Sequence, residues 1–246
     1  MIILYILLAV LMLFLAYVLF LFICSLLVDP NKEYEHNSKF YRALLNSATA
    51  AAMKILRIKI HTSGTENIPC DVKPLFVGNH RSNYDPIITW YVFKSRQIAF
   101  ISKASNFKIP FFGRFIRKCC FMSIDRENAR NAITTINKAA QLLKEQEVSI
   151  GVYPEGTRSK SGELLPFHNG VFKIAKKADA PIVVLSISGT EKIHKNIPFR
   201  SSHIYLDVID IIPATEVKQM KTDQIGERVK NALENRLDDE KGGIKL

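Results

Sequence analysis

Residues Met1 to Val28 form an apolar run without a charge, in which Ser25 and two tyrosines are almost the only polar groups. As an α-helix the run would extend about 42 Å, more than the ~30 Å hydrocarbon core of a bilayer. A cleaved leader would need a basic start, a shorter apolar core and a small-x-small cleavage site. None of these is present, so a retained membrane anchor is expected. Lys32, Lys39, Arg42, Lys54, Arg57 and Lys59 follow the run and no Lys or Arg precedes it. The positive-inside rule then places everything after Val28 in the cytoplasm, at the cell membrane. Between Phe40 and Ile55 the pattern changes to helical spacing, with Tyr41, Leu44, Leu45, Ala48, Ala51, Ala52 and Ile55 recurring at it. This predicts a second helix, resting on the following domain or on the bilayer surface.

From Leu56 onward, strand-like and helix-like stretches alternate. Leu56 to Thr62 alternates apolar with basic residues as a first strand would, and Pro74 to Val77 reads as a short buried strand. A helix over Ile87 to Phe93 and a strand over Ile98 to Ser102 come next. Cys119 to Ile124 reads as a strand, and Asn128 to Glu147 as an amphipathic helix with Ile133, Ile136, Ala140 and Leu143 on one face. Val148 to Tyr153 is a strand and Val171 to Ala178 a short helix. Pro181 to Ser188 is nearly all apolar, as in a sheet covered on both faces. A strand over Ser201 to Ile212 and a helix over Glu216 to Leu237 complete the reading. The alternation predicts one α/β domain with its sheet sandwiched by helices. The expected divisions are an anchor (1–28), an interfacial helix region (29–55), the α/β domain (56–215) and a C-terminal helix and tail (216–246).

One segment departs from both patterns. In Phe107 to Lys118, four phenylalanines and two isoleucines interleave with Lys108, Arg114, Arg117 and Lys118. Core helices rarely mix rings and cations so evenly. An interfacial segment does, because rings enter the acyl region while Lys and Arg meet headgroup phosphates. The net charge of +11 also calls for a polyanionic partner. An anionic phospholipid membrane accounts for it more simply than nucleic acid, for which the chain carries no recognisable motif or stacking platform. Cys24, Cys70, Cys119 and Cys120 lack C-x-x-C spacing, so neither a disulfide framework nor a zinc site is indicated.

The chemistry concentrates in two stretches. Gly78-Asn79-His80-Arg81-Ser82-Asn83-Tyr84-Asp85-Pro86 follows the buried strand, and Asp85-Pro86 reads as a helix start with Asp85 as N-cap. His80 therefore sits on a strand-to-helix turn. A histidine there can take a proton from an alcohol, and a carboxylate five positions later can fold back onto the far ring nitrogen. That is the His-Asp half of a triad with no evident serine. Taken alone, Asp85 as a simple cap and His80 bonded to local backbone explain the same residues. The second stretch is Val152-Tyr153-Pro154-Glu155-Gly156-Thr157-Arg158-Ser159. Glycine permits close backbone approach to a ligand, and arginine offers a planar fork for phosphate oxygens. Gly151 and Gly156 give half of a P-loop, but Thr157-Arg158 stands where Lys and Ser/Thr are required, so nucleotide binding of that kind is excluded.

Together the two stretches resemble the glycerophospholipid acyltransferases, most closely the 1-acyl-sn-glycerol-3-phosphate acyltransferases. Members carry N-H-x-S-x-x-D followed by an aromatic-P-E-G-T-R block, and the resemblance covers roughly residues 55 to 215. It implies acyl transfer from a thioester of coenzyme A or acyl carrier protein to the sn-2 hydroxyl of lysophosphatidic acid, giving phosphatidic acid. No metal or further cofactor is implied. His80 would be the general base and Asp85 its orienting partner. Arg126, in Ile124-Asp125-Arg126, and Arg158 would hold the acceptor phosphate, with Glu155, Gly156 and Thr157 shaping that pocket. Leu165-Pro166-Phe167-His168-Asn169-Gly170 resembles the next family segment, with His168 and Asn169 where many members have lysines. Another lyso-lipid acceptor, or a tethered lipid binder without catalysis, are the competing expectations; a binder has no need of a base.

Overall fold

The computed structural model describes residues 1–125 and 129–241. Two helices come first, α1 (Ile2–Leu26) and α2 (Lys39–Ile55), then β1 (Ile58–Ser63) and β2 (Leu75–Gly78). After them run α3 (Asp85–Val92), β3 (Ile98–Lys103), α4 (Phe112–Lys118), β4 (Met122–Ile124), α5 (Ala129–Lys144) and β5 (Ser149–Val152). The chain continues through α6 (Lys173–Ala178), β6 (Ile182–Ser188), α7 (Ile193–Asn196), β7 (Ser202–Ile212), α8 (Ala214–Gln219) and α9 (Thr222–Lys241).

The seven strands form one sheet in the order β1-β7-β6-β2-β5-β3-β4. Five run parallel, while β7 pairs antiparallel with β6, and β1 pairs parallel with β7. Alternation along the strands feeds two cores, as a sandwiched sheet requires. Leu75 and Val77 of β2 join residues of α5, α6, α8 and α9 on one face. Phe76 joins residues of α2, α3 and α4 on the other. Ile225, Val229 and Leu233 of α9 are fully buried in the first of these cores.

α1 meets the domain through its C-terminal half, where Tyr17 Oη pairs with Ser47 Oγ of α2 at 3.0 Å. Tyr41 Oη donates to Cys24 O at 3.0 Å, Arg114 Nη1 donates to Ser25 O at 2.9 Å, and Phe22 meets Phe111 edge to face. The rest stands clear of the domain: an 18-residue window has mean hydropathy 3.1 and none of it is buried. The helix is long and apolar enough to cross a membrane. α2 is fastened more firmly by Arg42, which is buried. Its guanidinium lies 4.4 Å from the Trp90 ring and donates to Asn37 Oδ1, Ile98 O and Cys119 O. One side chain thus ties α2 to the start of β3, the end of α4 and the face of α3.

Four sequence expectations change. The segment Phe107 to Lys118 is partly core: Phe107, Phe115 and Ile116 are buried and Arg117 stacks over Phe107, whereas Lys108 and Ile109 are exposed. Its mixed pattern arises because α4 is short and packed on one side against α2. Cys119 and Cys120 are buried but end α4 in a turn, Cys120 having φ +62°, and β4 begins only at Met122. Burial pushes both thiols up to about 12, which keeps them protonated and unreactive. Ile133 leaves the predicted face of its helix and is 55% exposed, whereas Ile136, Ala140 and Leu143 are buried. The C-terminal helix is two. Met220 is extended, Lys176 Nζ donates to the Lys218 and Met220 carbonyls, and Gln224 Oε1 accepts from Lys221 N to start α9.

Removing the Arg42 cation would leave two buried carbonyls without donors. Arg42→Met is expected to cost roughly 3 kcal/mol of stability, read as a lowered denaturation midpoint. An unchanged midpoint would show that water replaces these bonds.

Candidate active site

The turn after β2 carries His80 because Asn79 fixes the strand's exit. Asn79 is buried, its Nδ2 donating to Ile187 O at 2.9 Å and its Oδ1 accepting from Ile187 N at 2.8 Å, so it pairs with β6 as a backbone segment would. The site lies beyond the carboxyl ends of the parallel strands, where open α/β sheets place their ligands.

Asp85 closes the turn. Its Oδ2 accepts from Arg81 N and Ser82 N, each at 2.7 Å, and stands 2.8 Å from His80 Nδ1. Its Oδ1 accepts from Thr190 Oγ1 at 2.5 Å. The side chain is 0% exposed, and these four donors hold it as the anion in place of water. Because the carboxylate can only accept, Nδ1 carries the ring hydrogen and Nε2 is left as the basic nitrogen. Asp85 is the first residue of α3, and Tyr84 stands at the cap position, not Asp85 as the sequence suggested. The carboxylate has turned back toward the loop, away from its own helix's N–H groups, because the loop offers it two backbone donors as well as the histidine. Ser82 is buried, its Oγ accepting from Tyr84 N at 3.3 Å, consistent with a turn residue.

The second stretch meets the first through Glu155. This carboxylate is buried and spans two loops, Oε1 accepting from His80 N at 2.7 Å and Oε2 from Leu165 N at 3.0 Å. Burial raises its pKa and the two backbone donors oppose that shift. Ser159 N donates to His80 O at 2.8 Å, so both backbone polar groups of His80 are held by the P-E-G-T-R-S turn. Gly156 sits at φ +68° against the His168 ring; a Cβ there would come within 2.9 Å of His168 Cδ2. Thr157 and Arg158 are exposed on the same turn, two residues and one residue before the Ser159 contact. Arg126 lies outside the described residues.

Two residues belong to the site that sequence reasoning left without a role. Tyr153 lays its ring on His80, with centroids 4.5 Å apart and planes 20° from parallel, and its far side stacks on Phe100. Its hydroxyl pairs with Thr89 Oγ1 at 3.3 Å, and burial together with the Asp85 charge raises its pKa well above the usual phenol value. Tyr153 therefore stays neutral, and its ring face can stabilise an imidazolium. Thr190, fully buried after β6, supplies the fourth donor to Asp85. Nothing in Gly189-Thr190 marks it in the sequence, because its partner is 105 positions away.

The arrangement is an imidazole held through Nδ1 by a buried carboxylate, packed on one ring face by Tyr153 and restrained at both backbone groups. Residues 59–188 match the acyltransferase family, and this span is more than half of the chain. The chain belongs to that family. The chain is 32% identical over 153 residues to the 1-acyl-sn-glycerol-3-phosphate acyltransferase of Escherichia coli K12, covering 62% of this chain and 61% of that protein. The enzyme of the same name from Haemophilus influenzae is 37% identical to it over 134 residues, 52% of this chain and 55% of that protein. The chain thus spans less than two thirds of the length of these curated relatives. Its fold is that of the 1-acyl-sn-glycerophosphate acyltransferase PlsC from Thermotoga maritima. That comparison has a TM-score of 0.71 at 24% identity and covers 94% of this chain and 90% of that one.

Thr190→Val leaves Asp85 Oδ1 without its hydroxyl donor and is expected to lower both the unfolding free energy, by about 1–3 kcal/mol, and turnover. Tyr153→Leu, which removes the stacked ring, is expected to lower kcat roughly tenfold, with Tyr153→Phe restoring most of it. Equal rates for Leu and Phe at position 153 would show that the ring face plays no part.

Proposed function

We propose that this acyltransferase moves a fatty acyl group from a thioester, acyl-coenzyme A or acyl carrier protein, to the sn-2 hydroxyl of 1-acyl-sn-glycerol-3-phosphate. Phosphatidic acid and the free thiol carrier are the products. The observation that carries the reading is the 2.8 Å contact between His80 Nδ1 and a buried Asp85, in a chain whose named relatives act on this acceptor. His80 Nε2 takes the hydroxyl proton as the oxygen bonds to the thioester carbonyl carbon. The tetrahedral adduct collapses with cleavage of the carbon–sulfur bond, and the imidazolium returns its proton to the departing thiolate. Asp85 stabilises the imidazolium between these steps without itself taking the proton. The chain has no G-x-S-x-G stretch, and direct attack needs no acyl-enzyme.

Arg158 holds the acceptor phosphate, with Arg126 as its partner, and Glu155, Gly156 and Thr157 set the shape of that turn. Holding one end of the acceptor at a fixed place lets remote binding energy orient the hydroxyl at the base. The protein works at an anionic phospholipid membrane, with α1 as anchor and the α/β domain on the cytoplasmic side. Exposed Leu27, Phe40, Ile55 and Ile109 suit the same boundary.

The test is acyl transfer to labelled lysophosphatidic acid by purified protein. The expected outcome is labelled phosphatidic acid from the parent and none above background from His80→Ala. Arg158→Ala is expected to raise the acceptor KM by tenfold or more, about 1.4 kcal/mol, with a smaller change in kcat. Loss of kcat at an unchanged KM would remove Arg158 from phosphate binding. Product from His80→Ala at the parental rate would remove His80 from catalysis.

A further inference from the structure

A cavity of about 320 Å³ opens beside the His80 turn, on the side away from α3. Its wall includes Arg81, Gly189, Glu191, Lys192, His203 and Tyr205. Arg81 is the neighbour of the base, and its Nη2 is steadied by Gly162 O at 2.8 Å. The cavity suits one ring-and-sugar unit and is too small for a lipid chain with its headgroup.

Three rings line its edge. His61 of β1 stacks on Tyr205 of β7, centroids 4.9 Å apart and planes at 19°, and lies edge to edge with His203, centroids 5.3 Å apart and planes at 11°. His61 Nε2 and His203 Nδ1 are hydrogen-bonded at 3.0 Å. All three side chains are exposed. α9 covers β7 further along, where Arg236 and Arg228 pair with Asp207 and Asp210, and its Leu237 reaches the cavity wall. Lys59, paired in register with His203, adds a cation on the same face. A second observation concerns the cavity wall: Glu191 lines it, and its Oε2 is buried with no hydrogen-bond partner among the described residues. A buried acceptor left unpaired costs free energy unless a ligand brings it a donor.

We propose that this cavity receives the adenine nucleotide end of a coenzyme A thioester, a reading that rests on the acyl transfer proposed above. The base stacks on the Tyr205 and His203 rings, since every base has a π-face and aromatic stacking needs no further code. Glu191 Oε2 accepts from a ribose hydroxyl or the adenine amino group, and Arg81 and Lys192 meet the phosphates. β7 and β1 lie two and three strands from β2, so the rings stand about 10 and 14 Å from the strand that carries His80. The flexible pantetheine arm bridges that separation and leaves the thioester at the base. A carrier-protein thioester has the arm but no nucleotide, so it leaves the cavity empty.

The probe is adenosine 3′,5′-bisphosphate, titrated by calorimetry into the full chain in detergent micelles, with glycerol 3-phosphate as the headgroup control. The expected result is saturable nucleotide binding that glycerol 3-phosphate does not displace, weakened about tenfold by Tyr205→Ala and by His61→Ala. Both positions are exposed, and circular dichroism verifies that the variants remain folded. In turnover, Tyr205→Ala is expected to raise the KM for acyl-coenzyme A about tenfold and to leave the carrier-protein KM unchanged. No nucleotide binding by the parent, equal binding by both variants, or displacement by glycerol 3-phosphate would overturn the site. Transfer from carrier protein without nucleotide binding sinks the cavity's role and leaves acyl transfer standing. Nucleotide binding with no transfer from either donor supports the cavity and sinks acyl transfer instead.

Discussion

An ionised carboxylate without water must be satisfied by protein donors, and in this chain that requirement organises the site. Asp85 gathers two backbone N–H groups, a threonine hydroxyl and the histidine ring. Each donor comes from a different level of the fold. The backbone pair comes from the tight turn, Thr190 from the end of β6, and His80 from the exit of β2. None can move without leaving the buried charge short of a partner, a cost of several kcal/mol in such surroundings. The position of the base is therefore a consequence of the solvation of Asp85.

Glu155 repeats the device one layer out. It is also buried, and it spends its two oxygens on backbone donors of two separate loops, so the second motif cannot drift from the first. Tyr153, from the same stretch, then closes one face of the imidazole. The result is an imidazole whose tautomer, backbone and ring plane are each set by a different neighbour, the kind of rigidity that the proposed proton transfer demands. Arg42 plays a comparable part for the N-terminal helices, using a buried cation to join α2 to the sheet and to α4.

Much of this was legible in the sequence. The strands at 75–77, 149–152 and 182–187 were readable, the last as one covered on both faces, and the first motif announced the His80–Asp85 pair. What escaped reading was decided by distant packing. Ile133 has the right spacing for its helix's buried face, but nothing covers that end of the stripe. The helix expected from Glu216 breaks at Met220 because Lys176 captures the carbonyls there, a contact 44 residues away. Phe107 and Phe115 looked interfacial because the sequence shows their basic neighbours and not the helix that buries them. Thr190 has no local signature, and Tyr153 was visible only as an aromatic letter in a motif.

The central claim is that the buried Asp85 carboxylate sets the His80 tautomer for proton transfer. The most direct measurement is kcat for acyl transfer to lysophosphatidic acid by Asp85→Asn, beside circular dichroism and thermal unfolding of the same variant. The amide retains the shape but can present its NH2 to Nδ1, which favours the opposite tautomer. The account predicts a folded protein whose kcat is lower by about 10³–10⁴-fold. A folded variant with turnover within a few-fold of the parent would contradict it, leaving Asp85 as a structural pin for the turn and nothing more.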